Sequence, residues 1–251
     1  MKTLVYIVLF FFGSLTAQNA TFFDEANALY NDANYEEAIT KYESILKTKQ
    51  HSAELYYNLA NAHYKLNNIA PSIYYYEKAL QLKPNDKEIL NNIAYAKNMT
   101  VDAIQTVPQL GLSRFFNKVT HTLSFDNWAK LAIVLMVVFV VLFLVYYFNN
   151  GTTSKRLTFV FSFVFLFLSL FSLGLAFQKQ TLDTKNNPAI VFAQESEVKT
   201  EPNLGGSEAF LLHEGTKVQV LDTINNWKKI KLADGKTGWI VASDIKLLNN
   251  F

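Results

Sequence analysis

Three uninterrupted apolar runs stand out along the chain, and the first lies at its beginning. Residues 4–12 are apolar, they come after the basic residue Lys2, and a short stretch of small and polar residues then ends at Ala17. This three-part arrangement is typical of a secretory signal peptide. We therefore expect a signal peptide at residues 1–17. Leu15 stands where a smaller residue is usual before a cleavage site, so an uncleaved anchor stays open; either outcome exports the residues after position 17.

The other two apolar runs are long enough to cross a bilayer. Leu131–Phe148 and Leu157–Phe177 contain 18 and 21 residues without a charge. As helices they would measure about 27 and 31 Å, close to the hydrocarbon thickness of a membrane. The alternative, a pair of buried core helices, fits poorly because neither run has a polar face. We predict transmembrane helices at 128–148 and 157–177, joined by a loop at 149–156.

The predicted topology depends on the number of crossings. If the chain after the first apolar run is exported, the hairpin enters the cytoplasm and returns. The loop carries Lys155 and Arg156 without an acidic residue, which agrees with the positive-inside rule. Both flanking segments would then face the periplasm, with the protein held in a bacterial inner membrane.

Residues 100–127, which join the first soluble segment to the hairpin, contain an amphipathic pattern. Apolar residues recur at helical spacing, and polar or basic residues fill the opposite face. Such a helix can lie on a membrane surface or pack on a neighbouring domain, and the pattern favours neither. The apolar set is Leu112, Phe115, Phe116, Val119 and Leu123, and the polar set is Arg114, Asn117, Lys118 and His121.

The segment before this linker repeats itself every 34 residues. Ala26, Ala60 and Ala94 are 34 apart, and Tyr42 pairs with Tyr76 at the same offset. This period is the one expected of tetratricopeptide repeats, which are helix–turn–helix units. The segment 56–84 closely resembles the pattern of that family. We predict an all-α solenoid at 18–99, with repeats at about 19–52 and 53–86 and a closing helix at about 87–99.

The resemblance implies a concave groove that binds peptides or partner proteins. Asn amides can bond a peptide backbone, and Tyr rings supply contact area with a polar tip. Some members of the family hold a terminal carboxylate with cations, but Phe23, Glu88 and Asn92 stand at those positions here. Each predicted groove residue could instead only pack neighbouring helices. The predicted groove residues are Phe23, Asn27, Tyr30, Tyr57, Asn61, Tyr64, Lys65, Asn91 and Tyr95.

The pattern after the second long run changes to short alternating strands. Residues 178–187 are polar and linker-like, residues 217–221 alternate, and Asp234-Gly235 is a tight hairpin signal. Several short strands within 188–251 predict a small all-β barrel. The runs 210–218, 227–230 and 235–240 resemble bacterial SH3-type domains, which implies binding of cell-wall peptides or protein partners. Trp227 and Trp239 are its candidate binding residues, although their strand positions favour core packing for both.

Composition excludes several kinds of chemistry. The chain has no Cys, and its net charge of +2 gives no reason to expect nucleic acid. The positive charge is concentrated in residues 108–185, with 7 basic and 2 acidic side chains, where lipid headgroups would lie. The four His are scattered, and we find no metal motif, phosphate loop or nucleophile elbow. We predict no catalytic residue, metal or cofactor, and therefore no enzyme.

The order of segments is itself informative. A signal peptide, two tetratricopeptide repeats, a membrane hairpin and an SH3-type domain together resemble the BatE proteins of bacterial aerotolerance gene clusters. The resemblance implies companion Bat membrane proteins with von Willebrand A-type domains, and a MoxR-type ATPase, as partners. The first hypothesis is a membrane-anchored scaffold that gathers such partners through its groove. The alternative is a cell-wall sensor that binds peptidoglycan peptides through the SH3-type domain.

Overall fold

The computed structural model describes residues 21–104 and 111–249 of the 251-residue chain. The chain forms two compact units. The first combines the N-terminal helices with the C-terminal sheet, and the second comprises residues 107–186. The signal peptide predicted at 1–17 lies outside the described residues.

The first unit begins with five helices in the order that the 34-residue period predicts. They are α1 (residues 21–31), α2 (Tyr35–Lys47), α3 (Ala53–Lys65), α4 (Ile69–Leu82) and α5 (Lys87–Lys97). The Ser52 hydroxyl caps α3 by accepting from the Leu55 amide, and the Asp86 carboxylate caps α5. The prediction of an all-α repeat region is thus confirmed.

Packing of the helix pairs explains most of the repeated residues. Ala26 and Ala60 are fully buried, because a small side chain lets the two helices of each pair approach closely. Tyr42 and Tyr76 are buried at the equivalent positions of α2 and α4. The third member of the alanine series, Ala94, is exposed, because within the described part of the first unit α5 is not followed by a second helix of a repeat.

The C-terminal segment folds into one antiparallel sheet of seven strands. The strands are β1 (Pro188–Val191), β2 (Glu195–Lys199), β3 (Glu208–His213), β4 (Lys217–Ile224), β5 (Trp227–Lys231), β6 (Thr237–Val241) and β7 (Ile245–Leu247). Their order across the sheet is β3-β2-β6-β5-β4-β1-β7. The prediction of an all-β domain is confirmed, and Asp234-Gly235 lies in the turn between β5 and β6.

The prediction of a closed barrel is wrong, because the sheet is open. Its two edges are β3 and β7. One edge group on each of these strands is bonded by a side chain from the N-terminal part of the unit. The amide of His213 donates to Asp102, which follows α5, over 2.7 Å, and the carbonyl of Leu247 accepts from the Tyr74 hydroxyl of α4 over 3.2 Å. Side chains of α4 and of the stretch after α5 therefore pair one backbone group at each edge of the open sheet.

The second unit contains α6 (Gly111–Thr120), α7 (Phe125–Phe148) and α8 (Thr152–Lys185). Both α7 and α8 are long and apolar enough to cross a membrane. The helix α8 runs through most of the predicted linker at 178–187, since that stretch lacks a helix breaker and Lys179 pairs with Asp183 at 2.5 Å. The predicted amphipathic segment is helical as α6, where Phe115 and Phe116 are exposed.

Small side chains on α8 contribute hydrogen bonds to the contact with α7. The Ser169 hydroxyl donates to the Ala132 carbonyl over 2.8 Å, and the Ser172 hydroxyl donates to the Trp128 carbonyl over 2.9 Å. Both serines are buried, as small polar residues often are between membrane helices. Hydrogen bonds as well as packing therefore hold the hairpin together.

Candidate functional site

A concave groove lies along the face formed by the first helix of each repeat and by α5. It contains two cavities, of about 270 and 330 Å³, which share Tyr30 and Asn61 and so form one continuous surface. The first is lined by Tyr30, Tyr57, Asn61, Tyr64, Lys65, Tyr76, Asn92 and Tyr95. The second is lined by Asn27, Tyr30, Asn31, Tyr42, Asn58 and Asn61. The lining is almost entirely Asn and Tyr.

The floor of the groove is a hydrogen-bonded triad of two Asn and one Tyr. The Asn27 Oδ1 atom accepts from the Tyr42 hydroxyl over 2.6 Å and from Asn58 Nδ2 over 2.9 Å. Both lone pairs of that oxygen are used, which fixes the orientation of the amide. The Nδ2 group of Asn27 has no partner among the residues that the structure describes, so it is a donor available to a ligand.

The same triad recurs one repeat later. The Asn61 Oδ1 atom accepts from the Tyr76 hydroxyl over 2.5 Å and from Asn92 Nδ2 over 3.1 Å. Each member lies 34 residues after its counterpart in the first triad. Within the described ranges, the Asn61 Nδ2 group is likewise without a partner. The groove therefore presents two amide donors, one repeat apart, on rigid supports.

The tyrosine hydroxyls of this network stay protonated. Burial raises the pKa of Tyr42 to about 12, and burial is also the main cause that raises the pKa of Tyr57 to about 12. Their hydroxyls therefore remain donors at any physiological pH. The Tyr57 hydroxyl donates to Glu88 over 2.9 Å and accepts from Asn92 Nδ2 over 2.7 Å. The tyrosines thus extend the network from the triads to the edge of the groove.

Seven predicted groove residues line these cavities: Asn27, Tyr30, Tyr57, Asn61, Tyr64, Lys65 and Tyr95. Two do not. Phe23 packs against Tyr42, with ring centroids 5.9 Å apart, and belongs to the helical core. Asn91 is exposed outside the cavities, and the adjacent residue Asn92 takes the lining position instead. The helical turn separates these two neighbours by about 100°.

Sequence reasoning did not place Asn31, Tyr42, Asn58, Tyr76 and Asn92 among the groove residues. A signal for four of them was present: Tyr42 and Tyr76 are 34 apart, and so are Asn58 and Asn92. A polar residue that recurs at the repeat period, on a face where packing needs apolar residues, indicates the same geometric role in both repeats. Only the structure shows that this role is to orient Asn27 and Asn61.

The two tryptophans of the sheet lie on neighbouring strands. Trp239 is 8% exposed, and it alternates with Ile240, which belongs to the apolar core of the sheet. Alternation along a strand therefore puts Trp239 on the face opposite that core. Lys199 and Lys229 flank it in register, with the Lys229 Nζ atom 5.9 Å from the ring centroid. Trp227 is half-buried on β5.

The sheet and the repeats share a core within the first unit. Ile190 and Leu248 are buried in the same apolar cluster as the helices, while Ile104, which follows α5, packs into the cluster of the sheet. Tyr74 of α4 meets Phe192 edge to face, with centroids 5.6 Å apart. Neither domain therefore completes its apolar core alone.

A buried carboxylate links the two domains electrostatically. Glu77 of α4 is 9% exposed, and its two oxygens lie 2.9 Å from Lys97 Nζ and 2.6 Å from Lys217 Nζ. Burial by itself would raise the pKa of Glu77, but the positive charges of Lys217 and Lys97, with their hydrogen bonds, hold that pKa below its ordinary value. Because Lys217 belongs to β4, the ion pair crosses the interface.

A second carboxylate makes three hydrogen bonds across the same interface. Asp102 accepts from the His213 amide over 2.7 Å, from the Thr216 hydroxyl over 2.6 Å and from His213 Nδ1 over 2.8 Å. Burial would raise the pKa of Asp102, yet these bonds favour the ionised form and hold the pKa below its ordinary value. The stretch after α5 is thereby fixed to the end of β3.

Comparison with known families supports both domain assignments. Residues 23–87 match the tetratricopeptide repeat family, and residues 197–246 match the bacterial SH3 domain family. No curated protein is significantly similar to the chain. The chain thus contains two domain types that suggest binding of proteins or peptidoglycan.

Proposed function

We propose that this protein is a non-catalytic, membrane-anchored adaptor that binds an extended segment of a partner protein in the groove of its repeats. One observation carries the proposal: two Asn amides, at equivalent places one repeat apart, are each oriented through their oxygen and offer their nitrogen to the groove. Such pre-organised donors suit a ligand with regularly spaced carbonyl oxygens, and an extended peptide backbone is one.

The charge of the groove further limits the class of peptide that it can bind. Lys65 is the one cation among the residues that line the two cavities, and the Glu88 carboxylate accepts a hydrogen bond from Tyr57, another lining residue. The positions at which related repeats carry cations for a terminal carboxylate hold Phe23, Glu88 and Asn92. The groove therefore favours an internal, weakly charged segment over a free chain terminus, and tyrosine rings contact the side chains of that segment. These rings are Tyr30, Tyr64 and Tyr95.

The cellular setting that we propose is a bacterial inner membrane. The two long apolar helices support an anchor there, and the predicted signal peptide would place the repeats and the sheet in the periplasm. The resemblance to BatE proteins supports a role in aerotolerance or envelope stress. Companion Bat proteins with von Willebrand A-type domains, and a MoxR-type ATPase, would then be the partners.

A pair of isosteric substitutions tests the groove. In Asn27→Asp combined with Asn61→Asp, each oxygen that holds the triad is retained, while the free donor becomes an anionic acceptor that repels peptide carbonyls. We expect recovery of crosslinked partners from cells, measured by mass spectrometry of detergent extracts, to fall at least about tenfold, since two lost hydrogen bonds and the added repulsion exceed about 1.4 kcal/mol.

The matched control is Asn85→Asp with Asn91→Asp, which adds the same charge at exposed positions outside the cavities. It should leave recovery unchanged. The stronger variant with Ala at Asn27, Tyr57 and Asn61 should abolish recovery. Identical partners recovered with that variant and with the wild-type protein would refute the groove as the binding site.

A second candidate function is recognition of the cell wall by the sheet. The observation that favours it is Lys229, which lies two residues after the half-buried Trp227 on β5 and beside the Trp239 ring, because a cation next to an accessible indole suits the acidic stem peptides of peptidoglycan. We expect the full-length protein in detergent to be retained on purified cell wall, and Lys229→Glu with Trp227→Ala to lose most of that retention. The control Lys47→Glu, on α2, should be retained normally. No retention of the wild-type protein would eliminate this function.

A further inference from the structure

The loop end of the hairpin formed by α7 and α8 contains a cavity that the adaptor function does not use. It measures about 340 Å³ and is lined by Tyr146, Thr152, Lys155, Arg156 and Phe159. The Tyr146 and Phe159 rings pack against each other across the two helices, with centroids 5.2 Å apart. The cavity is therefore built on a fixed aromatic contact, and two cations line it.

No described residue neutralises the charge of this cavity. Lys155 and Arg156 are adjacent, and the sequence has no acidic residue between Asp126 and Asp183, which lie near the far ends of the two helices. Lys155 Nζ lies 5.9 Å from the centroid of the Tyr146 ring. No ion pair involves either cation among the described residues. An anion in the cavity would thus meet two positive charges without a competing carboxylate.

An apolar groove continues from the cavity along α8. It measures about 530 Å³, and it shares Phe159 with the basic cavity. Its lining recurs at helical spacing, so it occupies one face of the helix. The lining residues are Phe159, Val160, Phe163, Val164, Phe167 and Leu168. A basic end that leads into an apolar groove matches a molecule with an anionic head and a hydrocarbon tail.

We propose that the loop end of this hairpin binds one anionic phospholipid, with its phosphate at Lys155 and Arg156 and an acyl chain along the apolar groove. The proposal rests on the membrane insertion that the proposed function includes. A dissolved anion would use only the basic cavity, and a lipid without net charge would use only the groove. An anionic lipid uses both, which is why the observations favour it.

The test uses the full-length protein reconstituted in nanodiscs that contain equal amounts of phosphatidylglycerol and phosphatidylcholine. After extraction into detergent, native mass spectrometry counts the lipids that remain bound. We expect the wild-type protein to retain phosphatidylglycerol at least about tenfold over phosphatidylcholine, and Lys155→Gln with Arg156→Gln to lose that preference. The matched control is Lys118→Gln with Lys130→Gln, which removes two cations from the same unit outside the cavity and should keep the preference.

Three outcomes would overturn the proposal: no preference in the wild-type protein, equal loss in the control, or complete displacement of the lipid by inorganic phosphate, which would indicate a site for a dissolved anion.

Alkaline extraction of membranes separates this proposal from the anchoring on which it rests. A protein that resists extraction but shows no lipid preference lacks only the lipid site. A protein that is released by alkali lacks the anchor as well.

Discussion

Replacing Gly215 with alanine should lower the free energy of unfolding of the first unit by about 3 kcal/mol. Gly215 has a φ of +84°, which costs an alanine about 1 kcal/mol. A Cβ atom there would also lie 2.8 Å from Thr100 Cγ2, 2.9 Å from Ile69 Cγ2 and 2.9 Å from Ile73 Cδ1. Relieving these contacts in a packed core costs roughly 1–3 kcal/mol more.

Gly235 provides a matched control, because it shares the backbone conformation but not the packing. Its φ is +94°, and a Cβ atom would meet nothing within 4 Å. Gly235→Ala should therefore cost only the backbone contribution of about 1 kcal/mol. Thermal unfolding of the full-length protein in detergent, followed by tryptophan fluorescence, measures the difference. Equal losses in the two variants would show that the packing around Gly215 accommodates a methyl group without cost, contrary to the prediction.

Replacing Glu77 with glutamine should cost about 2 kcal/mol at neutral pH. The substitution keeps the shape of the side chain but removes the charge that Lys97 and Lys217 share. Charge-assisted hydrogen bonds of a buried group contribute roughly 1.5–3 kcal/mol each, and we reduce their sum because both lysines are half-exposed and screened by water. Denaturant unfolding of the full-length protein in detergent gives the value.

The control for Glu77 is an ion pair on the surface of the same domain. Glu54 and Lys83 also pair, but both side chains are about half exposed, so Glu54→Gln should change stability by less than about 0.5 kcal/mol. A loss for Glu77→Gln no larger than that of this control would contradict a role for the buried pair.

The contribution of Glu77 should also depend on pH in one direction. Its pKa in the folded protein lies below the ordinary value of 4.5, so its ionised form is favoured by folding. The contribution is fully present above pH 4.5 and is lost as the pH falls through the lower, folded-state pKa. The stability difference between wild type and Glu77→Gln should therefore be constant near neutrality and shrink in acid. A difference that grows on acidification would show that the sign of this pKa shift is wrong.

Glu77 lies at the interface between the repeats and the sheet, two domain types that the sequence presents as separate segments. The groove lies on the first helices of the repeats and on α5, whereas the sheet packs on α4 through Ile73, Tyr74 and Glu77. Tyr76 of the same helix supports Asn61 in the groove. The interface thus leaves the groove open while stabilising the helix that carries one of its triads.

Local patterns in the sequence predicted the type of the main elements. The 34-residue period gives the helix pairs, because each repeat must bury the same face against the next. Uninterrupted apolar runs predict α7 and α8, because a helix that is apolar on every face is not stable when it is exposed to water. Alternation with a hairpin turn gives the strands around Asp234-Gly235. Each of these signals depends only on residues close together in the chain.

Several features depended on residues far apart in the chain. Asn92 rather than Asn91 faces the groove because of the rotation of α5 against the repeats, and a one-residue error in register moves a side chain to another face. The buried role of Glu77 could not be read from the sequence, because its partner Lys217 is 140 residues away.

The sequence alone therefore determined two repeat-based helix pairs, an apolar hairpin and an all-β segment, since periodicity is a local property. The tertiary structure decided that the sheet stays open and packs on the repeats. The hydrogen-bond partners of the edge strands and the residues that cover the apolar faces come from segments that are close in space but distant in the chain. The tertiary structure also decided which amide groups of the groove have no partner among the described residues, since that depends on which polar atoms the fold has already paired.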